Sequence, residues 1–403
     1  MSEIEWRRVP IGPDADRLAT REASRTVLLV VHTVTSGQRL MDAAKLLEND
    51  LRVQVVFTRG PDVFGEGVGE FFARLGVITI PWSQATATRF DLAIAASDGG
   101  THEVRAPLIV MPHGAGFNKL VMRGAGRAAG SRMVYGLDPQ RLVHDGSLIP
   151  SAIALAHEDD RATLARTCPE ALPVADVVGD PAHDTLLASR ARRSSYQVAL
   201  GAGDGRKLVV VTSTWGPHSL FARRPALWAR LLTELPEDEF RIVTMLHPAV
   251  WSTYGHWQIR TWMAEYLRRG LSLVPPEADW RAVLAAADWV IGDHGSATVY
   301  GAVAGAPVLL GTFHAADVSA GSPAAVLGAA APRLSGRGTL RRQLLQAAAD
   351  FHPDAYAQVV GRITSEPGAF NRNMRRLMYR LLRLRQPASV PTAQPAAQPF
   401  LIA

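Results

Sequence analysis

Four short stretches carry residues whose types suit acid–base and anion chemistry. In "VMPHGAGFNK", residues 110–119, an apolar run stops at a histidine, and Gly114, Gly116, Asn118 and Lys119 follow at once. Histidine titrates near neutrality and can take a proton from an attacking hydroxyl. Glycine permits close backbone approach. Lys119 can bring a positive charge to a phosphate. His113 is therefore expected as a catalytic base, with Gly114 and Lys119 on the phosphate side. The plainer alternative for His113 is a turn histidine bonded to backbone.

The second stretch is "VVVTSTWGPHS", residues 209–219. Thr212, Ser213 and Thr214 end an apolar run, where hydroxyls and backbone N–H groups in a strand–helix turn suit a phosphate. The alternative is a Ser/Thr turn over a core tryptophan, Trp215. In the third, "MLHPAVW", His247 ends a strand and Pro248 fixes the turn. His247 is expected to contact a diphosphate or to act as an acid, with a structural histidine as the alternative.

The fourth, "WVIGDHGSATVYGAVAGAPVLL", residues 289–310, is the most informative. A strand ends at Gly292, and Asp293, His294, Gly295 and Ser296 form a turn into a small-residue helix. The start of such a helix presents unpaired N–H groups and a partial positive charge to an anion. Asp293, His294, Gly295, Ser296 and Thr298 are all expected at the donor phosphates, with Asp293 orienting His294 or binding a donor hydroxyl. An N-cap serine behind an Asp turn accounts for Ser296 alone.

Strand ends of this kind need a sheet to hold them. "TVLLVVHT" (26–33) is continuous and β-branched, as doubly buried strands are. Strand patterns recur in "RVQVVFT", "VITI", "FDLAIAAS", "APLIVMP" and at 175–178, with helical spacing between them. Residues 190–206 turn polar and Gly-rich, and "GAGDG" (201–205) reads as linker. The alternation then restarts with "KLVVVTST", "FRIVTMLHP", "LSLVPP", "DWVIGDHGS" and "APVLLGTF". Short strands alternating with helices mean parallel sheets covered by helices. The expected fold class is α/β: two Rossmann-like doubly wound domains facing across a cleft, with ligands outside the carboxyl ends of the strands. The expected partition is an acceptor domain at 1–190 and a nucleotide-donor domain at 205–365. A basic amphipathic helix at 366–386 and a disordered Pro/Ala/Gln-rich tail at 387–403 complete it.

In that helix Met374, Leu377, Met378, Leu381 and Leu384 share one face. Arg372, Arg375, Arg376, Arg380 and Arg383 share the other. It either packs on the fold with its arginines in water or attaches residues 369–385 to an anionic membrane surface.

Composition excludes several classes. Of 403 residues, 47% are apolar and 20% charged, ordinary for a globular chain of two domains. A net charge of +6 is modest for this size, and no nucleic-acid partner is expected. One cysteine, Cys168, excludes an internal disulfide framework and any multi-cysteine metal site, and it is expected to be a small buried or half-buried residue. "MSEIEWRRVP" has no apolar core of a signal peptide, and no run of about 18 apolar residues occurs. A cytoplasmic location, with the membrane face as a second site, is expected. The twelve histidines are scattered and no His-Glu-x-x-His occurs, so no metal site is expected. "GEGVGEFF" and "GAGRAAG" resemble dinucleotide loops only superficially, because neither directly follows a strong strand.

The order of the four stretches resembles the CDP-glycerol glycerophosphotransferases and, more broadly, the GT-B glycosyltransferases. In that family the patterns run His-Gly-Thr with a following Lys, Pro-Thr-Trp-Arg, His-Pro, and Asp-Tyr-Ser-Ser. His113, Gly114 and Lys119 match the first, Thr214 and Trp215 the second, His247 and Pro248 the third, and Asp293 and Ser296 the fourth. The resemblance spans roughly residues 100–315. It implies transfer of a glycosyl or phosphoalditol group from a nucleotide-diphosphate co-substrate to a hydroxyl-bearing acceptor: a glycan, a lipid or a small molecule. It also implies His113 as base, His247 at the donor phosphates and no tightly bound cofactor. Gly216 stands where the family has Arg, Ser213 where it has Pro, and His294 and Gly295 replace Tyr and Ser, so a nucleotide sugar suits the donor side as well. "VVGDPAHDTLLA" resembles a segment of the UDP-N-acetylglucosamine 2-epimerases, but "HGSATVYGAVAG" lacks their paired glutamates. Epimerase or hydrolase action, or a non-catalytic nucleotide-binding scaffold, are the alternatives.

Overall fold

The computed structural model describes residues 6–11, 15–18, 20, 25–122 and 132–402. The stretch "GAGRAAG" lies outside the described residues. The chain packs as two compact units. One comprises residues 1–113, 133–181 and 368–392, and the other 114–132, 182–367 and 393–403.

The first unit is built on a seven-stranded sheet. Its strands are β1 (Arg25–Val31), β2 (Val53–Arg59), β3 (Thr79–Ile80), β4 (Leu92–Ala95), β5 (Leu108–Val110), β6 (Ala152–Leu155) and β7 (Ala175–Val177). Their order is β7-β6-β5-β4-β1-β2-β3, and every pairing is parallel. Val27 to Val31 are fully buried because both faces of β1 are covered. Val27, Leu29 and Val31 pack into one core, and Leu28 and Val30 into another, as the period-two geometry of a strand requires.

β6 and the helix Glu158–Thr167 after it were not expected from the sequence. "AIAL" is only four residues long and half alanine, a poor strand former. The helix is strongly polar, with Leu164 and Asp160 its buried residues. Cys168 is buried as expected, and burial pushes its thiol up to about 12.

The basic helix runs Phe370–Leu382. Phe370, Met374, Leu377, Met378, Tyr379 and Leu382 lie in the same core as Val27 and Leu29. Its apolar face is thus consumed by the first unit and is not presented to a membrane. Arg375 departs from the expected solvent face: it is 2% exposed and donates to the Ser389 carbonyl. Arg380 pairs with Asp176 at 2.6 Å. Among the described residues no helix is long and apolar enough to cross a membrane.

The second unit carries a five-stranded sheet: β8 (Lys207–Ser213), β9 (Phe240–Leu246), β10 (Ser272–Val274), β11 (Trp289–Gly292) and β12 (Val308–Leu310). The order β10-β9-β8-β11-β12 is again all parallel. The stretch 190–206, where the boundary was expected, with its linker at 201–205, is instead part of this unit. Arg193 in the helix Arg193–Ala199 donates to Ala287 O at 2.8 Å, and Tyr196 is buried in the core. The Gly-rich run 201–205 is the tight turn into β8, with Gly201 and Gly205 at positive φ.

The expected disordered tail is irregular but packed. The buried Tyr196 hydroxyl donates to the Ala396 carbonyl at 2.7 Å, and Ile402 N donates to Leu273 O at 3.0 Å. Composition suggested disorder because recurrent Pro breaks helices and strands and the segment carries few large apolar residues. Backbone groups of this segment are satisfied instead by partners far away in sequence.

Candidate functional site

In a doubly wound sheet the strand order reverses at one place, and the loops diverge there to leave a crevice. In the second unit this place lies between β8 and β11. The loop after β8 carries Thr214 and Trp215; the loop after β11 carries Asp293 to Ser296. Asp293 is fully buried and ties the two loops together. Its carboxylate accepts from Thr214 N at 2.9 Å, Leu220 N at 2.8 Å and Gly295 N at 2.9 Å. Desolvation drives its pKa upward, while His294 and these N–H donors pull the other way. The expectation that Asp293 touches the donor is therefore corrected. It has no exposed surface, and its oxygens are occupied in holding the loops.

Three hydroxyls expected at the phosphates are likewise structural. Thr212, Ser213 and Thr298 are buried. Ser213 Oγ accepts from Phe221 N at 2.9 Å, and Thr298 Oγ1 accepts from Asp293 N at 3.2 Å. What remains at the surface of this crevice is Thr214, Trp215, His294, Gly295 and Ser296. The helix Ser296–Ala304 begins there, with Gly295 as its N-cap residue. Its small residues let it lie close to β11: a Cβ on Gly301 would meet Val290 at 3.2 Å.

Segment 114–120 belongs to the same unit. It is held by Ser319 N donating to Asn118 O at 2.7 Å and by Ala324 N donating to Asn118 Oδ1 at 3.1 Å. This brings Lys119 Nζ to 4.0 Å from the Trp215 ring centre, a cation–π contact. A Cβ on Gly114 would come within 2.5 Å of Ser296 Oγ, so a larger residue here would force that hydroxyl to turn away from the helix start. Gly114, Lys119, Trp215 and Ser296 are thus gathered within one unit, whereas the expected partition placed Gly114 and Lys119 in the acceptor domain at 1–190.

His247 follows β9 and caps the helix Pro248–Arg268. Its Nδ1 accepts from Ala249 N at 3.0 Å. That bond fixes the tautomer: the ring proton sits on Nε2, which makes Nε2 a donor. His247 N also donates to Ser213 O at 3.0 Å, linking the ends of β8 and β9. His294 is half-buried, and desolvation lowers its pKa despite the nearby Asp293 and Asp317 carboxylates.

In the first unit the order reverses between β1 and β4. His113 follows β5, and its Nδ1 lies 2.8 Å from the Ala96 carbonyl. A carbonyl only accepts, so Nδ1 carries the proton and Nε2 holds the lone pair a base requires. His32, which ends β1, was missed by the sequence analysis. Its Nε2 lies 2.7 Å from Gly99 O, its Nδ1 is buried without a hydrogen bond, and desolvation lowers its pKa. A Cβ on Gly60 would come within 2.6 Å of this ring. The available signal was "VVHT", where the first strand stops at a histidine, as the fifth does.

No family model matches the chain, and no curated protein matches it. Solved structures do. A variant of the wall teichoic acid polymerase TagF aligns with TM-score 0.59 at 10% identity, covering 90% of this chain and 90% of that one. The two-Rossmann GT-B fold is what they share. A second TagF variant aligns with TM-score 0.57 at 12% identity, over 90% of this chain and 89% of that one. The UDP-GlcNAc 2-epimerase of Methanocaldococcus jannaschii aligns with TM-score 0.51 at 11% identity, over 88% of this chain and 99% of that one. Likeness at such identities speaks for the fold of the chain.

Proposed function

We propose that the protein is a transferase that moves a glycosyl or phosphoalditol group from a nucleotide-diphosphate donor to an acceptor hydroxyl. The observation that carries this reading is the gathering of Lys119, Thr214, Trp215 and the start of the helix Ser296–Ala304 at the β8–β11 reversal. A cation, an aromatic face and unpaired helix N–H groups together suit a nucleotide diphosphate. The solved TagF structures include a variant soaked with CDPG, which is in keeping with such a donor.

In this reading His113 Nε2 takes the proton of the acceptor hydroxyl. For glycosyl transfer the hydroxyl oxygen bonds to the sugar carbon as that carbon's bond to the departing nucleoside diphosphate breaks. For phosphoalditol transfer it bonds to the distal phosphorus as the bond to the bridging oxygen breaks and a nucleoside monophosphate departs. Negative charge then grows on the nucleotide. Lys119, the Nε2–H of His247 and the N–H groups near Ser296 stabilise it. Asp293 works indirectly, by holding the loops that present those groups. The acceptor is a glycan, lipid or small molecule bearing a hydroxyl.

A thermal-shift panel of CDP-, UDP-, GDP- and dTDP-linked donors tests the first half. A bound donor raises the melting temperature because it binds the folded chain preferentially. His113→Ala is expected to lower turnover by about 10²- to 10⁴-fold while keeping the donor-induced shift. Unchanged turnover in that variant would remove His113 from the reaction. Epimerised or hydrolysed donor formed without any acceptor would replace transfer by the isomerase or hydrolase alternative.

A further inference from the structure

Three titratable side chains of the second unit converge beside His294. His218 lies in the loop after β8, His314 in the loop after β12, and Asp317 in the short turn Ala315–Asp317. His218 Nδ1 and Asp317 Oδ2 share a hydrogen bond at 2.7 Å, which an incoming ion would replace, and His314 Nδ1 is 3.1 Å from the same oxygen. The donor atoms of all three residues lie within 4.8 Å of one another. They are 36%, 38% and 30% exposed, so an ion and its water have access.

Two features go beyond a chance cluster. First, His314 Nδ1 is buried and makes no hydrogen bond, although a carboxylate oxygen stands 3.1 Å away. Close approach without hydrogen-bond alignment is how two ligands of one ion sit. Metal–ligand bonds of about 2.0–2.1 Å at tetrahedral angles separate ligand atoms by about 3.3 Å. Second, the loops are anchored. Leu220 N donates to Asp293 at 2.8 Å just after His218, and Gly311 N donates to Gly292 O at 2.8 Å just before His314. Arg224 Nε also donates to Gly311 O at 2.9 Å, tying the two loops to each other. The three groups are thus presented by backbone that is already positioned.

We propose that His218, His314 and Asp317 form a binding site for a divalent transition-metal ion of the zinc class. Two imidazole nitrogens and one carboxylate suit a borderline dication and disfavour Mg²⁺ and Ca²⁺, which prefer all-oxygen shells. The two rings are stacked, with centroids 3.6 Å apart and planes 19° from parallel. Metal capture turns them so that both lone pairs converge, and their partial exposure leaves room for that turn. Three protein ligands leave a fourth position for water or an anion. Arg132 Nη1, 3.8 Å from Asp317 Oδ1, approaches the other oxygen of the carboxylate. The site requires no nucleotide and stands independently of the transferase reading.

The test uses the full chain, stripped with a chelator and titrated with Zn²⁺ by calorimetry, with Mg²⁺ in parallel. The wild type is expected to bind one Zn²⁺ per chain and no Mg²⁺. His314→Ala and Asp317→Asn are each expected to weaken Zn²⁺ binding at least about tenfold, the floor set by losing even an outer-shell partner. His102→Ala, at the other stacked histidine pair, is expected to bind as the wild type does. Thermal melts of the stripped variants separate ligand loss from unfolding. Should either variant not fold, the visible spectrum of the Co²⁺-loaded wild type decides, because four-coordinate nitrogen–oxygen ligation gives intense bands that Zn²⁺ abolishes. Absence of Zn²⁺ binding by the wild type, equal affinity in both ligand variants, or a Co²⁺ spectrum like that of the hydrated ion overturns the proposal.

Discussion

Asp293 shows how a residue can matter to a site without touching a ligand. Its carboxylate holds Thr214, Leu220 and Gly295 through their N–H groups. Asp293→Ala leaves these donors without their acceptor, and each buried orphan costs about 1–3 kcal/mol. The expected loss for the second unit is therefore about 3 kcal/mol or more, read from urea unfolding. His32 makes a prediction about pH. Its native pKa lies below the ordinary value because the charged ring is desolvated. The stability it contributes is thus present above the unfolded value of about 6.5 and is lost as pH falls through the depressed native one. Unfolding free energy measured from pH 7 downward should decline more steeply in wild type than in His32→Gln. Equal slopes would show that His32 charges in the folded state at no cost.

Among the secondary elements, the close fit of the helix Ser296–Ala304 to β11 is the most exacting. A Cβ on Gly292 would lie 2.2 Å from Thr298 Oγ1 and 2.8 Å from Thr212 Cγ2. Gly292→Ala forces those side chains or the helix to move, at an expected cost of about 1–3 kcal/mol. A melting temperature unchanged from wild type would show that the helix yields freely. The elements were legible where their pattern was strong. β1, β8 and β9 read directly from runs of Val, Leu and Ile, and so did the small-residue helix. β6 was invisible because Ala-Ile-Ala-Leu favours no particular element. At the site, strand-end position located Thr214, His247 and Ser296 but said nothing about which way side chains point. Thr212, Ser213 and Thr298 turn inward for that reason. His218, His314 and Asp317 are separated by up to 99 residues and are joined only by strand order. Spacing alone could not have found them.

At the scale of the whole chain, neither unit is a continuous stretch of sequence. Residues 114–132 and 393–403 belong with 182–367, and residues 368–392 return to the first unit. The closing segment is structural: Ala396 accepts from Tyr196 at 2.7 Å and its N–H donates to Ser189 Oγ at 2.9 Å. With the Ile402–Leu273 bond, deletion of residues 393–403 removes three hydrogen bonds of about 0.5–1.5 kcal/mol each. The second unit is expected to lose about 3 kcal/mol, measured by differential scanning calorimetry. An unaltered transition would mean that the segment merely lies on the surface.

The helix Phe370–Leu382 has a consequence for biosynthesis. It supplies Phe370, Met374 and Leu377 to the core around β1, yet it is translated more than 330 residues after that strand begins. During synthesis the first sheet therefore waits on the ribosome with one apolar flank bare, a situation in which nascent chains depend on chaperones.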